Sequence, residues 1–347
     1  MILTVNSKYA FVIVRVIKQE VFMNNCALII GIGGQDGTYL TSFLLKKGYS
    51  VHGIVKEKPK SKYNNIIQNC LKLKKIKIHK INILEEKALK KTILKIQPSE
   101  IYYLATTHEV ALKQENFNEV MSVNVNGLFN ILEIVRCEMP SSKVFYASSS
   151  NVFAGSKESP QNENTIKNPK TLYGIAKLTA MNLIHLYREN YNIYVCYGIL
   201  YNHESTLRKK IFVSMKIVDA VVNIKLGNQK KLLLGNINDQ RDWGFAEDYI
   251  KAMWMMLQSF QAKDYVIGTG ESLTVKDLLF YAFDYVGLKW KDYVEIDNSF
   301  IREKNTIPLI ADTSKIKREL KWSPSINFKL VVQKMIDENL KKHINIK

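Results

Sequence analysis

Short apolar runs that alternate with helical stretches constrain the fold of this chain more than any other feature. Cys26–Ile30 is an uninterrupted apolar run of strand length, and strand-like runs recur at Lys143–Ala147 and Ile193–Leu200. Segments between such runs, for example Val120–Arg136 and Leu172–Asn190, have apolar residues at helical spacing. Strands that are apolar on both faces need helices on both sides. The pattern therefore predicts an α/β fold with a doubly wound parallel sheet.

A glycine-rich loop follows the first apolar run directly. Gly31, Gly34 and Gly37 are spaced as GxxGxxG, with Gln35 and Asp36 inside the loop, and a helical stretch begins there. At this spacing the first glycine permits a tight turn, the second lets the backbone approach a pyrophosphate, and the third lets the helix pack closely on the sheet. Because the loop joins an apolar strand to a helix, it predicts a dinucleotide-binding site.

The end of the second strand indicates which dinucleotide binds. A site for NAD usually has an acidic residue here, which binds the ribose 2′-hydroxyl, whereas a cation favours the 2′-phosphate of NADP. The strand ends Ile54-Val55-Lys56, which favours NADP, although Glu57 follows at once and keeps NAD as the alternative. Asn82, at the end of a later strand, is predicted either to bind the adenine or to be a turn residue.

The alternation loosens after residue 200, which predicts a smaller C-terminal lobe. We expect residues 23–200, with a return of the chain at 240–270, to form the dinucleotide-binding domain. Residues 201–239 and 271–347 are then expected to form the lobe that binds the substrate.

Residues 1–22 are apolar but are interrupted by Lys8, Arg15 and Lys18. The uncharged stretches between them are far shorter than the ~20 residues that span a bilayer, and no small-residue cleavage site follows. We interpret the segment as a non-essential N-terminal extension, with an added edge strand or interaction arm as the alternative. No membrane anchor is expected, and the protein is expected to be cytoplasmic.

Charge and histidine spacing restrict the partners. The chain has 347 residues, 50 Lys and Arg against 32 Asp and Glu, and a formal net charge of +18. The lysines are scattered, without a basic patch interleaved with aromatic residues, so we expect a solvated lysine-rich surface and no nucleic-acid partner. The six histidines form no HxH or HxxxH pair, and therefore no metal site is expected.

Tyr173 and Lys177 form a YxxxK pair on a predicted helix that follows Ser148-Ser149-Ser150. The i, i+4 spacing places both side chains on one face of the helix. A tyrosine that exchanges a proton near neutral pH needs its pKa lowered from ~10, and the lysine, together with a cationic nicotinamide ring, is expected to lower it. An isolated YxxxK pair is common, but the order of glycine loop, serine cluster and YxxxK is specific.

This order of motifs resembles the extended short-chain dehydrogenase/reductases, and longer stretches are similar to the GDP-mannose 4,6-dehydratases among them. The stretches that carry the similarity are GIGGQDGTYL, KKGYSVHGIVK, NVNGLFNILEIVR, ESPQNENT, LYGIAK, YGILYNHES, LGNINDQRDWG and AEDYIKAMWMMLQ. Weaker similarity continues to Trp322-Ser323-Pro324. The resemblance implies a Rossmann fold, a bound NADP, a GDP-sugar substrate and a homodimer or homotetramer.

The resemblance also implies roles for single residues. Ser149 matches the catalytic Ser/Thr, which binds the sugar 4-oxygen, Tyr173 matches the catalytic tyrosine and Lys177 its partner. Arg208 matches part of a basic loop that reaches the cofactor across subunits. The residues expected at the cofactor are Gly31, Gly34, Gln35, Asp36, Gly37, Lys56, Asn82, Lys177 and Arg208. Those expected at the nucleotide sugar are Asn202, Lys216, Arg241 and Arg302.

One departure from the family bears on the chemistry. The family has a glutamate two residues after the catalytic Ser/Thr, which performs the acid/base work of water elimination, and this chain has Asn151. An amide does not exchange protons near neutral pH, and loss of a general acid/base typically costs ~10²–10⁴ in rate. Further departures are Glu109 for a histidine, Leu207 for the first arginine of the basic loop and Asn305 for a glutamate.

Three functions follow from these observations. The first is a lyase, a 4,6-dehydratase of GDP-mannose or a related GDP-sugar that works through a 4-keto intermediate, with another acid such as Glu158 in place of the glutamate. The second is a GDP-sugar C4 oxidoreductase, a 4-ketoreductase, for which Ser149, Tyr173 and Lys177 suffice. The third, a non-catalytic nucleotide-binding or RNA-binding protein, is disfavoured by the intact triad. We expect the dehydratase.

Overall fold

A computed structural model describes residues 25–56, 65–72, 74–107, 114–297, 299 and 307–344. The described strands are β1 (Cys26–Ile30), β2 (Ser50–Val55), β3 (Ile76–Lys80), β4 (Glu100–Tyr103), β5 (Lys143–Ser149), β6 (Val195–Leu200), β7 (Asn202–Glu204), β8 (Leu232–Leu234), β9 (Gln240–Arg241), β10 (Trp243–Phe245), β11 (Tyr265–Ile267), β12 (Leu273–Thr274) and β13 (Val294–Ile296). The described α-helices are α1 (Gln35–Lys46), α2 (Asn65–Lys72), α3 (Glu86–Ile96), α4 (Gln114–Met121), α5 (Gly127–Glu138), α6 (Leu172–Tyr191), α7 (Val213–Lys225), α8 (Ala246–Gln258), α9 (Val275–Tyr285), α10 (Ser314–Leu320) and α11 (Phe328–Ile344). The predictions for residues 1–22, Glu57, Glu109, Arg302 and Asn305 concern positions outside the described residues.

The predicted strands form a parallel sheet. In the described part of the chain this sheet has seven strands in the order β11-β6-β5-β4-β1-β2-β3, and every neighbouring pair runs parallel. β1 lies inside the sheet between β2 and β4, and its five residues are all buried. The chain winds outward from β1 in both directions, which is the doubly wound order. The predicted Rossmann-type α/β fold is therefore confirmed.

Helices cover both faces of the sheet. Successive side chains of a strand point to opposite faces, so an apolar strand needs a packed layer on each side. Leu28 of β1 packs in one core with buried residues of α3, α5 and α6. Ile29 packs in a second core with buried residues of α1 and α8. Burial on both faces explains why the first apolar run has no polar interruption.

A third core is formed by elements of the second half of the chain. Helices α7, α9 and α11 contribute Val218, Leu279 and Val332 to it, and Trp243 stacks on Phe328 with 5.1 Å between ring centroids. Between these elements, α8 and β11 return to the sheet, where β11 pairs with β6. The domain boundaries given above stay a prediction. Among the described helices, none combines the length and the apolar character needed to cross a bilayer.

The helix predicted over Val120–Arg136 is interrupted by a π-helical turn at Ser122–Asn126, between α4 and α5. The carbonyl oxygen of Val120 accepts the side-chain amide of Asn124 at 2.9 Å, and the Tyr146 hydroxyl donates to the carbonyl oxygen of Asn124 at 3.0 Å. Side chains thus bind carbonyl groups that a regular helix would pair internally, and the turn widens. The contact with Tyr146 comes from β5, so the local pattern of apolar residues does not contain it.

Candidate active site

The loops that follow β1, β4, β5 and β6 meet at one edge of the sheet. Strand order reverses between β1 and β4, because β2 continues the sheet on one side of β1 and β4 continues it on the other. Doubly wound sheets bind ligands outside the carboxyl ends of their strands at such a reversal. The glycine loop follows β1, and Ser149 is the last residue of β5. The sheet therefore brings both sequence motifs to the same edge.

The glycine loop has the shape that a pyrophosphate site requires. Gly31 has a φ of +92°, and a Cβ on it would lie 2.8 Å from the backbone nitrogen of Ala105. A Cβ on Gly37 would clash with the carbonyl oxygen of Gly31 and with Cα of Ile32. A Cβ on Gly34 would meet only the Gly31 oxygen, at 3.4 Å, and Gly34 caps α1 without a side-chain hydrogen bond. The N-terminus of α1 is therefore open beside the loop, and its N–H groups and dipole fit an anion.

Gln35 and Asp36 direct their side chains to the segment after β6. The Asp36 carboxylate accepts a hydrogen bond from Nε2 of His203 at 3.0 Å, and the Gln35 amide donates to the His203 carbonyl at 3.1 Å. Ser205 Oγ donates to Oε1 of Gln35 at 2.8 Å. Both side chains are engaged with protein groups, so backbone N–H groups are what this turn offers to a cofactor.

The other residues predicted at the cofactor differ in their surroundings. Lys56 follows β2 directly and is exposed. Asn82 lies just past β3 and accepts the N–H of Leu84 at 3.2 Å, so it is a turn residue, and its contact with adenine stays a prediction. Nε of Arg208 lies 3.0 Å from the Glu204 carboxylate of the same chain.

Ser149, Tyr173 and Lys177 lie together. Tyr173 and Lys177 are one turn apart on α6, and the side chains of Thr106 and Ser149 act to lower the pKa of Tyr173. Nζ of Lys177 donates to the carbonyl oxygen of Ala147 in β5 at 2.8 Å and lies 5.5 Å from the centre of the Tyr173 ring. Only 1% of the Lys177 surface is exposed. The hydroxyl of Ser149, the phenol of Tyr173 and the amine of Lys177 thus lie close together at the carboxyl end of β5.

Burial decides the proton affinity of these groups. It raises the pKa of Tyr173 to about 12, although the hydrogen bonds with Thr106 and Ser149 act to lower it. Burial lowers the pKa of Lys177 to about 7. The protein groups alone therefore raise the tyrosine pKa, because the surroundings that destabilise a phenolate also destabilise the lysine cation. The expected lowering, which includes the charge of a nicotinamide ring, stays a prediction.

Thr106, Asn124 and Tyr146 support this group, and the sequence analysis assigned no role to their side chains. Thr106 Oγ1 donates to Oδ1 of Asn124 at 2.8 Å. Nζ of Lys177 lies 4.5 Å from the centre of the Tyr146 ring, whose hydroxyl donates to the Asn124 carbonyl. The fully buried Asn124 thus connects Thr106 to Tyr146, whose ring contacts Lys177. The signal in the sequence is weak, namely a threonine after an apolar strand and an asparagine in NVNG.

Asn151 lies beside Ser149. Its backbone N–H and its side-chain amide both donate to Oγ of Ser149, at 3.3 and 3.2 Å. With both of these donors on Oγ, the proton of the serine hydroxyl points away from Asn151 and is left for another acceptor. Asn151 therefore orients the serine hydroxyl, but its amide does not exchange protons near neutral pH. Glu158, the alternative acid, is exposed in a turn where its N–H donates to Oγ of Ser156.

The residues predicted at the nucleotide sugar lie on three elements. Asn202 is the first residue of β7, directly beyond β6. Nζ of Lys216 on α7 donates to the carbonyl oxygen of Leu233 at 2.8 Å. The guanidinium of Arg241 in β9 lies 3.6 Å from the Asp239 carboxylate. The roles of these residues in substrate binding stay predictions.

Asp242 is a buried residue that the sequence analysis missed. Its carboxylate accepts the N–H groups of Thr269, Gly270 and Ala311 at 2.8, 2.9 and 3.1 Å. Burial raises the pKa of Asp242, and these hydrogen bonds oppose the increase. These hydrogen bonds hold the backbone in place beside Arg241. In the sequence, the only indication of them was that Asp242 belongs to the motif RDWG.

We expect Lys177→Met to change how the free energy of unfolding depends on pH. The folded chain releases the Lys177 proton near pH 7, whereas the unfolded chain keeps it to about 10.5, so the wild type gains stability as pH rises between these values. Between about pH 7 and about pH 9, the wild type should gain about 2 kcal/mol relative to the variant in denaturant titrations. The exposed control Lys46→Met should show no such gain, and a difference that is independent of pH contradicts the prediction.

Comparisons with known proteins identify the family of this chain. A family model described as GDP-mannose 4,6 dehydratase matches residues 28–335. GDP-mannose 4,6 dehydratase 1 of Arabidopsis thaliana is 42% identical over 323 residues, which cover 90% of this chain and 89% of the plant protein. The fold is similar to that of dTDP-glucose 4,6-dehydratase from Bacillus anthracis in complex with NAD (TM-score 0.79, 20% identity, 92% of this chain and 97% of that chain). It is also similar to RMD from Pseudomonas aeruginosa complexed with NADPH (TM-score 0.76, 19% identity, 91% and 99%). The chain belongs to the GDP-mannose 4,6-dehydratase family.

Proposed function

We propose that this protein is a nucleotide-sugar 4,6-dehydratase that acts on GDP-mannose, or on a related GDP-sugar, with a bound nicotinamide dinucleotide. The observation that supports this most is the grouping of Ser149, Tyr173 and Lys177 at the sheet edge that also carries the glycine loop. The relative from Arabidopsis thaliana is named for the same reaction. The two similar structures that hold NAD and NADPH support a nicotinamide cofactor.

The chain's own residues perform the first step of this reaction. A bound dinucleotide would supply the acceptor for the hydride of C4 and the donor of the hydride that ends on C6. Ser149 donates a hydrogen bond to the 4-oxygen, and Tyr173 takes the proton of the 4-hydroxyl as C4 becomes a ketone. Because burial raises the pKa of Tyr173, its anion needs a nearby cation, which Lys177 supplies 5.5 Å from the ring. The new ketone makes the C5 proton acidic, so that water can leave across C5 and C6.

Elimination is the step at which this chain departs from its family. The glutamate that the family uses for proton exchange is replaced by Asn151, which is bound to Oγ of Ser149 through its amide. That hydrogen bond supports the C4 step, since it orients the serine. It supplies no base for the C5 proton and no acid for the departing hydroxyl. We therefore propose that elimination limits the rate of this enzyme.

We expect the full chain, incubated with GDP-mannose and NADP, to give a product that is lighter by one water in mass spectrometry. Asn151→Glu should raise the rate of water loss about tenfold or more, because a general acid/base contributes ~10²–10⁴ in rate. The rate of hydride transfer, followed by the absorbance of the reduced cofactor in single turnovers, should change little. Tyr173→Phe should abolish both signals, because the phenol exchanges the first proton.

The control for this substitution is Asn228→Glu, at an exposed position in the loop after α7, which should leave both rates unchanged. A sugar that is oxidised or reduced without loss of water would contradict the dehydratase and support the C4 oxidoreductase. Rapid water loss that Asn151→Glu does not accelerate would show that another acid, with Glu158 as a candidate, performs the elimination.

We propose NADP rather than NAD as the cofactor, on the basis of Lys56. This residue is exposed at the carboxyl end of β2, the strand next to the glycine loop. Lys56→Glu places an anion against a 2′-phosphate and should raise the Kd for NADP about tenfold or more in calorimetry. The Kd for NAD should stay the same or fall, because an acidic residue at this position binds the ribose 2′-hydroxyl. Lys46→Glu, an exposed lysine at the far end of α1, is the control. Wild-type protein that binds NAD at least as tightly as NADP contradicts the proposal.

We propose that the protein forms a homo-oligomer through α5 and α6. Phe129, Ile175, Leu186 and Tyr191 on these helices are 44–50% exposed, which supports burial against a second copy of the chain. Leu186→Lys should then lower the molar mass in light scattering toward that of one chain. Phe280→Lys, at an equally exposed site on α9, should leave the mass unchanged. A wild-type protein with the mass of one chain contradicts the proposal.

A further inference from the structure

His203 lies where the glycine loop and the start of α1 contact β7, the strand that begins at Asn202. It is buried in β7, and its Nε2 lies 3.0 and 3.1 Å from the two carboxylate oxygens of Asp36. Its Nδ1 lies 2.8 Å from the carbonyl oxygen of Tyr201, and its ring stacks on Tyr249 with 4.5 Å between centroids. A carbonyl and an ionised carboxylate only accept hydrogen bonds. Both nitrogens therefore carry protons, and His203 is an imidazolium.

The charges around the pair are consistent with this protonation. Burial by itself raises the pKa of Asp36, but His203 and Arg208 outweigh it and hold that pKa below its usual value. Burial lowers the pKa of His203, and the Asp36 carboxylate outweighs it, so the histidine pKa is raised. Arg208 also faces the pair, but its guanidinium is bound by Glu204 and lies 3.6 Å over the ring of Phe212.

The position of Asp36 explains why this pairing matters. Asp36 lies in the first turn of α1, beside the open N-terminus that fits the pyrophosphate. An unpaired carboxylate there would repel the phosphates and offset the attraction between the partial positive charge of the helix N-terminus and an anion. Gln35 strengthens the tie, because its amide donates to the His203 carbonyl and to Asp36, both at 3.1 Å. The first turn of α1 and β7 are thus joined at several points.

We propose that His203 is a positioning residue whose imidazolium neutralises the Asp36 carboxylate beside the first turn of α1, so that tight binding of the dinucleotide requires this negative charge to be neutralised or absent. The proposal rests on the dinucleotide site proposed above. The ion pair couples the two ligands, since Asn202, predicted at the nucleotide sugar, is the neighbour of His203 in β7.

Calorimetric Kd values for NADP, measured on the full chain without substrate, test the proposal. His203→Gln leaves a buried carboxylate unpaired and should raise the Kd about tenfold or more. Adding Asp36→Asn to it removes that charge and should bring the Kd back to within about threefold of wild type. Asp36→Asn alone should also stay within about threefold, since it leaves no anion beside the phosphates.

The control is His185→Gln, a histidine on α6 that is bound to the hydroxyl of Tyr197 and should not affect the Kd. If the contact serves only to hold β7 in place, the double variant binds NADP no better than His203→Gln, and the proposal is overturned. If His203→Gln does not fold, a weakened NADP affinity of Asp36→Asn overturns it equally. A wild type that binds neither NADP nor NAD overturns the dinucleotide site itself, which is a distinguishable result.

Discussion

The close approach of Gly37 to the carbonyl oxygen of Gly31 is the constraint on which the rest of the site depends. A side chain on Gly37 would clash with that oxygen, so α1 can begin directly against the end of β1 only with glycine there. Because α1 begins so close, its N-terminus opens onto the carboxyl edge of the sheet, and Asp36 reaches His203 beyond β6. The start of α1 therefore brings the glycine loop into contact with the segment that follows β6.

The same edge keeps ionisable groups out of water. Lys177 is almost completely buried, and its cation is destabilised to a pKa of about 7, while the phenol of Tyr173 is raised to about 12. Such perturbation by burial is typical of catalytic groups and lowers the stability of the fold near neutral pH. The hydrogen bonds through Asn124 and Ala147 hold these groups where hydrophobic packing alone would favour apolar side chains.

The sequence was sufficient for the sheet and for the motifs, but not for what joins them. β1 and β5 could be predicted because burial on both faces leaves an apolar run, and the glycines because their spacing follows from backbone geometry. The pair of Asp36 and His203 could not, since its partners are 167 residues apart and neither lies in a periodic pattern. The π-helical turn at Ser122–Asn126 was missed for a similar reason, because a hydroxyl from another strand helps to widen it.

The residue at position 151 decides how the serine is used. As an amide it directs two N–H donors at Oγ of Ser149, which leaves the serine proton for the sugar 4-oxygen in the proposed reaction. A carboxylate in its place would lose the side-chain donor and keep the backbone donor, while gaining the ability to exchange protons with the sugar. In the proposed reaction, asparagine therefore suffices for the hydride-transfer steps, which depend on Ser149, Tyr173 and Lys177. It supplies no acid or base for the elimination between them, so we propose that this one residue slows elimination and not hydride transfer.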